Sequence, residues 1–335
     1  MSGSKTELVT RSKRPGMDCT IDIFHEKTVG FSKNINDRST YKLVLVDEGS
    51  FVVEEDGKYR VVVAPAGIAL NEKAEFKVVS ENGVKARTTF FKPSVIREEF
   101  TIDAINSGKF DKFLSAVKST GEMTYEERLR IASFEDTKFE DCFTSKMVYQ
   151  DALLLLDFIR PDRNIVYYSL MRQVYDSLRG LTCSIAYDIQ EQPDNFWILR
   201  ARHFLCSTLF LSVADFYRPY RQYEVYRDPF VANVARYLWE NISEEITLDS
   251  VLKEFSVNKN TLNDAFNKEL DMSCMSYLEH LRIGVAKSGL QYSDEPVSEI
   301  SVNCGYSDTN YFSKVFKKHT GMTPSDFRKN MKGLC

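Results

Sequence analysis

The chain has 335 residues, 43% of them hydrophobic and 27% charged, with a formal net charge of −4. That composition excludes disordered, collagen-like and low-complexity classes and fits about two globular domains. No stretch reaches the ~20 consecutive apolar residues of a membrane span; the best candidate, Phe196–Val213, is broken by Arg200, Arg202 and His203.

Residues 1–16 are polar and basic and lack the apolar core of a secretory signal, so they read as a flexible tail on a cytoplasmic protein. From Tyr41 to Lys92 the apolar period is two, punctuated by Glu48-Gly49, Asp56-Gly57 and Asn82-Gly83, dipeptides that supply the positive φ of tight turns. Five or six short strands, with another over Thr20–Phe31, predict a small antiparallel β-barrel or sandwich at about 20–95. Val44, Val46, Val52, Val61, Val63 and Phe90 would line either a ligand cavity or a filled core. After Pro93 the pattern turns helical: Thr101–Thr120, Tyr125–Ser133, Ser145–Ile159, Ile165–Arg179 and Asp194–Tyr217, a helical part over 98–217. The last of these is apolar on more than one face, so it belongs in a core or against a second subunit. Arg218-Pro219-Tyr220 and Arg227-Asp228-Pro229 then mark a linker at 219–228. The expected organisation is therefore a tail (1–16), a sensor or dimerisation domain (17–218), the linker, and an all-α domain (229–335).

Chemistry that would make an enzyme is missing from the pattern. The seven cysteines are scattered without CxxC spacing, and the four histidines stand far apart, which suggests neither a disulfide framework nor a metal site. No phosphate-binding loop, dinucleotide fingerprint or nucleophile elbow occurs. The reading is a non-enzyme with no catalytic residue, no metal and no cofactor.

The last domain repeats itself. Val251–Ser273 and Ile300–Thr323 match at an offset of 49 before a short turn (Val251 with Ile300, Val257 with Tyr306) and of 50 after it (Leu262 with Phe312, Phe266 with Phe316). Each copy is a short helix, a break and a second helix, a helix-turn-helix. In the second copy Phe312, Val315, Phe316 and His319 fall on the inward face, leaving Thr309, Asn310, Ser313, Lys314 and Lys317 outside. In the first, Leu262, Ala265, Phe266 and Leu270 face in, and Asn260, Asn263, Asp264, Asn267 and Lys268 face out. Short hydrogen-bonding groups and cations are what base edges and phosphates require, although a merely solvated face would satisfy the same composition. Ser273–Gln291 reads as a connecting helix about 27 Å long, against the ~34 Å between successive major grooves on one face of a duplex. Phe312–Cys335 carries six basic residues and one acid.

Ile300-Ser301, Gly305-Tyr306, Tyr311-Phe312, Phe316-Lys317 and Gly321-Met322-Thr323-Pro324, with Leu281-Arg282 and Ala286 upstream, make the C-terminal ~107 residues similar to the DNA-binding domain of the AraC/XylS family of transcriptional regulators. The resemblance implies an α+β chain: an N-terminal cupin-like antiparallel barrel with dimerisation-type helices, then two helix-turn-helix motifs joined by a linking helix. It implies contact positions at Thr309, Asn310, Ser313 and Lys314, and at Asn260, Asn263 and Asp264. Implied partners are double-stranded DNA, a small-molecule effector in the barrel, a second copy of the chain and, for an activator, RNA polymerase, with no membrane role. The first copy departs from the pattern: Val251-Leu252 stands for Leu-Ala, Asn258 for Ser, Asp271 for Gly, and Asp264 at a position often basic. An outward carboxylate repels phosphates, although it accepts from a cytosine amino group. The second copy is therefore expected to supply most of the affinity. The alternative is a protein-binding adaptor whose degenerate helix-turn-helix has lost specific DNA binding.

Overall fold

The computed structural model describes residues 8–111, 143–159, 163–170, 172–215 and 225–332. The predicted helix Tyr125–Ser133, most of the second half of Thr101–Thr120, and most of the expected linker lie outside them. The chain forms two compact units, Met1–Gly49 with Ala64–Phe76 and Glu81–Arg221, and Ser50–Val63 with Lys77–Ser80 and Gln222–Cys335.

In the first unit β1 (Thr10–Arg11) pairs with β2 (Thr20–Ile21), so the segment expected as a flexible tail carries structure from residue 8 on. Lys13 N donates to Gln192 Oε1 (2.6 Å) and Arg14 Nη1 to Gln192 O (2.8 Å), fastening this arm to the turn after a helix. β3 (Ile23–Val29) pairs antiparallel with β7 (Lys77–Phe91), Ile23 opposite Phe91 and Val29 opposite Lys85. β4 (Tyr41–Glu55) pairs through Lys42–Val46 with β6 (Ala66–Leu70), which pairs in turn with β8 (Ile165–Ser169). This is an open antiparallel sheet: among the described residues β3 and β8 each have one strand partner, so closure into a barrel is not formed.

Two of the three turn dipeptides expected from sequence lie inside strands. Gly49 falls within β4 and Asn82-Gly83 within β7. Gly49 has φ +84°, and a Cβ there would sit 2.4 Å from Asn82 O, so its glycine serves a close approach of two backbones. Only Asp56-Gly57 reverses the chain, both residues with positive φ (51° and 72°), as a two-residue hairpin turn requires.

The helices of the first unit are α1 (Ile102–Asn106), α2 (Phe143–Leu153), α3 (Arg172–Glu191) and α4 (Trp197–Asp215). Ile165–Arg179, predicted as one helix, is instead a strand followed by the start of α3. Its opening run, Ile-Val-Tyr-Tyr, is β-branched and aromatic and finds a free strand edge in β6. The core joins sheet and helices through Tyr41, Phe91 and Phe158, with Tyr41 stacked on Phe158 at 5.1 Å, and reaches Trp197, Ala201 and Leu205 on α4. Arg200 ties the α3–α4 hairpin, donating to buried Asp188 (2.6 Å) and to Asp194 (2.8 Å).

In the second unit, Ser50–Glu55 of β4 pairs with β5 (Lys58–Val63), and β5 with β9 (Val225–Tyr226). The hairpin packs Val52 and Val61 on α5 (Pro229–Glu240), whose Val231, Val234, Ala235 and Leu238 are buried. Asp228 caps α5 and Pro229 occupies its first turn, where a missing N–H costs nothing. α6 (Leu248–Glu254), α7 (Lys259–Leu270), α8 (Cys274–Tyr292), α9 (Val297–Asn303), α10 (Thr309–Thr320) and α11 (Pro324–Lys332) follow. They divide into two small cores, one around Leu262, Phe266 and Tyr277, the other around Ile300, Phe312 and Phe316, with α8 contributing to both.

Candidate nucleic-acid interface

The two repeats fold as two helix-turn-helix motifs, α6–α7 and α9–α10. α6 begins in a reciprocal cap between Thr247 and Ser250, and Asn258 caps α7 by accepting from Thr261 N at 2.9 Å. α10 is capped by Asp308, which accepts from Asn310 N at 2.7 Å. Both second helices end left-handed, at Asp271 (φ 55°) and at Gly321 (φ 78°). Thr323 caps α11 by accepting from Asp326 N (3.2 Å), with Pro324 as the first helical residue.

Arg282 on α8 organises the second motif. Its Nε donates to Ile242 O (3.1 Å), its Nη2 to Glu244 O (2.6 Å), and its guanidinium lies 5.6 Å from the centre of the Tyr306 ring. Burial pushes the Tyr306 phenol up to about 12. At the other end of α10, Glu279 of α8 receives His319 Nε2 at 2.6 Å and Lys318 Nζ at 3.3 Å. Burial acts to raise the Glu279 carboxyl, but hydrogen bonds and charge from His319 and Lys318 hold it below the usual carboxylate range. His319 was predicted to pack inward with Phe312, Val315 and Phe316; those three are buried, whereas the imidazole leaves the core for a carboxylate at its rim. The ring nitrogens need partners that an apolar core cannot give.

The predicted recognition residues sort into two groups. Asn310, Lys314 and Lys317 on α10, and Asn260, Asp264 and Lys268 on α7, are exposed and lie together on the outer faces. The other three are engaged within the fold. Thr309 is half-buried with its Oγ1 3.1 Å from Ser301 Oγ, and Ser313 Oγ donates to Thr309 O at 2.9 Å. Asn263 Oδ1 accepts from Cys274 N at 3.3 Å, helping to start α8. Sequence reading took Tyr311 as part of the Tyr311-Phe312 signature but not as a contact position, yet it stands 56% exposed beside Asn310 in the chain. The signal for an outward position was that Tyr311 falls outside the buried period of Phe312, Val315 and Phe316. α8 has 19 residues, close to the length read from sequence, and spans about 28 Å.

Among the described residues no group of three or more His, Cys, Asp or Glu is placed to hold a metal ion, and no helix is long and apolar enough to cross a membrane.

A family model for a helix-turn-helix domain matches residues 251–330. The chain is 34% identical over 102 residues to RhaR, a helix-turn-helix-type transcriptional activator of Salmonella dublin, covering 30% of this chain and 36% of RhaR. It is 30% identical over 131 residues to YdiP, a helix-turn-helix-type transcriptional regulator of Escherichia coli, covering 38% of this chain and 43% of YdiP. The match thus spans about two-fifths of the length of these curated relatives. Among solved structures, the C-terminal domain of AraT, a response regulator from Geobacillus stearothermophilus, is 30% identical, covering 31% of this chain and 86% of that one, with a TM-score of 0.30. With both motifs folded and matched over residues 251–330, the C-terminal part of the chain is a helix-turn-helix domain similar to that of AraC-type transcriptional regulators.

Proposed function

We propose that the protein is a sequence-specific transcriptional regulator that binds double-stranded DNA through α7 and α10, with α10 supplying most of the affinity. The observation that carries this reading is the repeated frame: both helices bury an apolar face and leave a polar ridge, and the ridge of α10 presents Lys314 and Lys317 with no acid beside them. Lysines in that position neutralise phosphates or reach guanine acceptors.

The first unit is proposed to sense an effector or to join two copies, its antiparallel sheet serving as a cupin-like support. A broad, open depression along α3 and α4 is lined by Tyr187, Phe204 and the paired Asp188, Asp194 and Arg200. Phe196, Leu199 and Phe210, each more than 60% exposed, follow the 3.5-residue spacing of a helix-pairing seam and support a homodimer. RNA polymerase is a further partner if the chain activates transcription.

Fluorescence anisotropy of the full chain on labelled duplex DNA tests the reading. Affinity should fall steeply with salt, by ~0.9 in log–log slope per phosphate contacted, and Lys314→Ala and Lys317→Ala should each weaken it. Absent or salt-insensitive binding would overturn the proposal.

A further inference from the structure

The two recognition helices carry an internal comparison. At their offset of 50, Asn260 pairs with Asn310 and Asn267 with Lys317, while Asp264 pairs with Lys314. Each helix therefore presents an asparagine and, one turn later, a charged group in the middle of its exposed ridge, but the two charges have opposite sign.

The fold does not require the carboxylate of Asp264. It is exposed and, among the described residues, has neither a hydrogen bond nor an ion pair. Asn258, not Asp264, caps α7. Three acids of the unit do serve the fold: Glu240 pairs with Arg236, Glu279 with His319 and Lys318, and Asp326 with Thr323. An unpaired carboxylate brought to a duplex meets one phosphate charge per ~1.7 Å of helix axis, and so weakens binding at every sequence alike. Only a base presenting a donor offsets that loss. In the major groove guanine shows N7 and O6 acceptors, thymine an O4 acceptor, and adenine an N7 acceptor beside its amino group; cytosine shows its N4 amino donor. A carboxylate is thus repelled by guanine and thymine; adenine offers its amino donor only beside the repelling N7, and cytosine offers a donor with no acceptor next to it.

The geometry points to Asp264 as a specificity residue: α7 selects cytosine through the Asp264 carboxylate, while its counterpart Lys314 on α10 takes guanine acceptors. The first motif then sets sequence by exclusion and the second supplies attraction. This inference rests on the DNA-binding reading above.

The test is selection of duplexes from a randomised pool by the full chain at fixed salt, with wild type, Asp264→Asn, Asp264→Ala and Lys314→Ala, followed by affinities on the selected site and its single-base variants. Since Asp264 is exposed and makes no hydrogen bond or ion pair among the described residues, its variants should melt as wild type does. Wild type should prefer cytosine at one position by about tenfold or more. Asp264→Ala should lose that preference, and Asp264→Asn should move it toward adenine, with other positions unchanged. If both variants instead bind every sequence more tightly by a common factor, with base preferences intact, Asp264 only repels phosphate and the inference is overturned while DNA binding stands. If wild type binds no duplex even at low salt, the proposed function fails, and this inference with it.

Discussion

Ser256 and Gly305 occupy the same place in the turns of the two helix-turn-helix motifs, and both are left-handed, with φ of 51° and 75°. The turn demands that conformation, but only the second copy meets it with glycine. A side chain costs about 1 kcal/mol or more there, and at Gly305 a Cβ would also fall 2.5 Å from both Arg282 Nη2 and Ile242 O. Ser256→Gly should therefore stabilise the C-terminal unit slightly, by ~0.5 kcal/mol after the extra chain entropy of glycine is set against the relieved strain. Gly305→Ala should destabilise it by ~2 kcal/mol. Calorimetric melting of the two variants checks both signs, and a destabilised Ser256→Gly would contradict the account.

Arg282 links the second motif to the loop between α5 and α6 through the carbonyls of Ile242 and Glu244. Arg282→Ala leaves both carbonyls without that donor and removes the cation from the Tyr306 ring, a loss of ~2 kcal/mol. Arg282→Lys keeps the charge but not the planar fork, and should fall between alanine and wild type. Equal melting temperatures for alanine, lysine and wild type would show that the arginine organises nothing.

The hairpin Ser50–Val63 is distant in sequence from α5, yet its Val52 and Val61 close the core against which α5 packs. Val52→Asp puts an unpaired carboxylate at a fully buried position and should cost ~3 kcal/mol or more. The expected signature is faster amide hydrogen exchange across 229–240, far along the chain from the substitution. Unchanged protection in α5 would mean that the hairpin is not part of that unit.

What the sequence made legible and what it hid divide along the range of the interactions. The helix-turn-helix motifs announce themselves locally: caps, apolar faces and turns recur at offsets of 49 and 50, so Phe312 and Phe316 could be assigned to the core, and Asn310 and Lys314 to the surface, without coordinates. The hairpin was equally visible as a hairpin, but nothing in VVEEDGKYRVVV tells which unit its valines will face. The same limit explains β8: Ile165–Ser169 resembles the start of a helix until β6, some hundred residues earlier in the chain, offers it an edge. Gly49 and Gly83 were read as turns because positive φ suits both a reversal and a bulge, and only the opposing strand decides between them.

His25 sits in β3 opposite Thr89, 6% exposed, with Nδ1 2.9 Å from Thr89 Oγ1. Burial first, and then the nearby Arg87 charge, lower its pKa to about 4. In the unfolded chain the imidazole returns to about 6.5. Between those values the unfolded state binds a proton that the folded state does not, so the stability of the first unit should rise with pH from 4 to 6.5 and be flat in this group's contribution above it. Acidification from pH 7 to pH 4.5 should cost roughly 2 kcal/mol through His25 alone. Replacing it by glutamine, which cannot titrate, should flatten that part of the pH profile of chemical unfolding. A His25→Gln variant with the wild-type slope between pH 4.5 and 6.5 would place the acid sensitivity elsewhere.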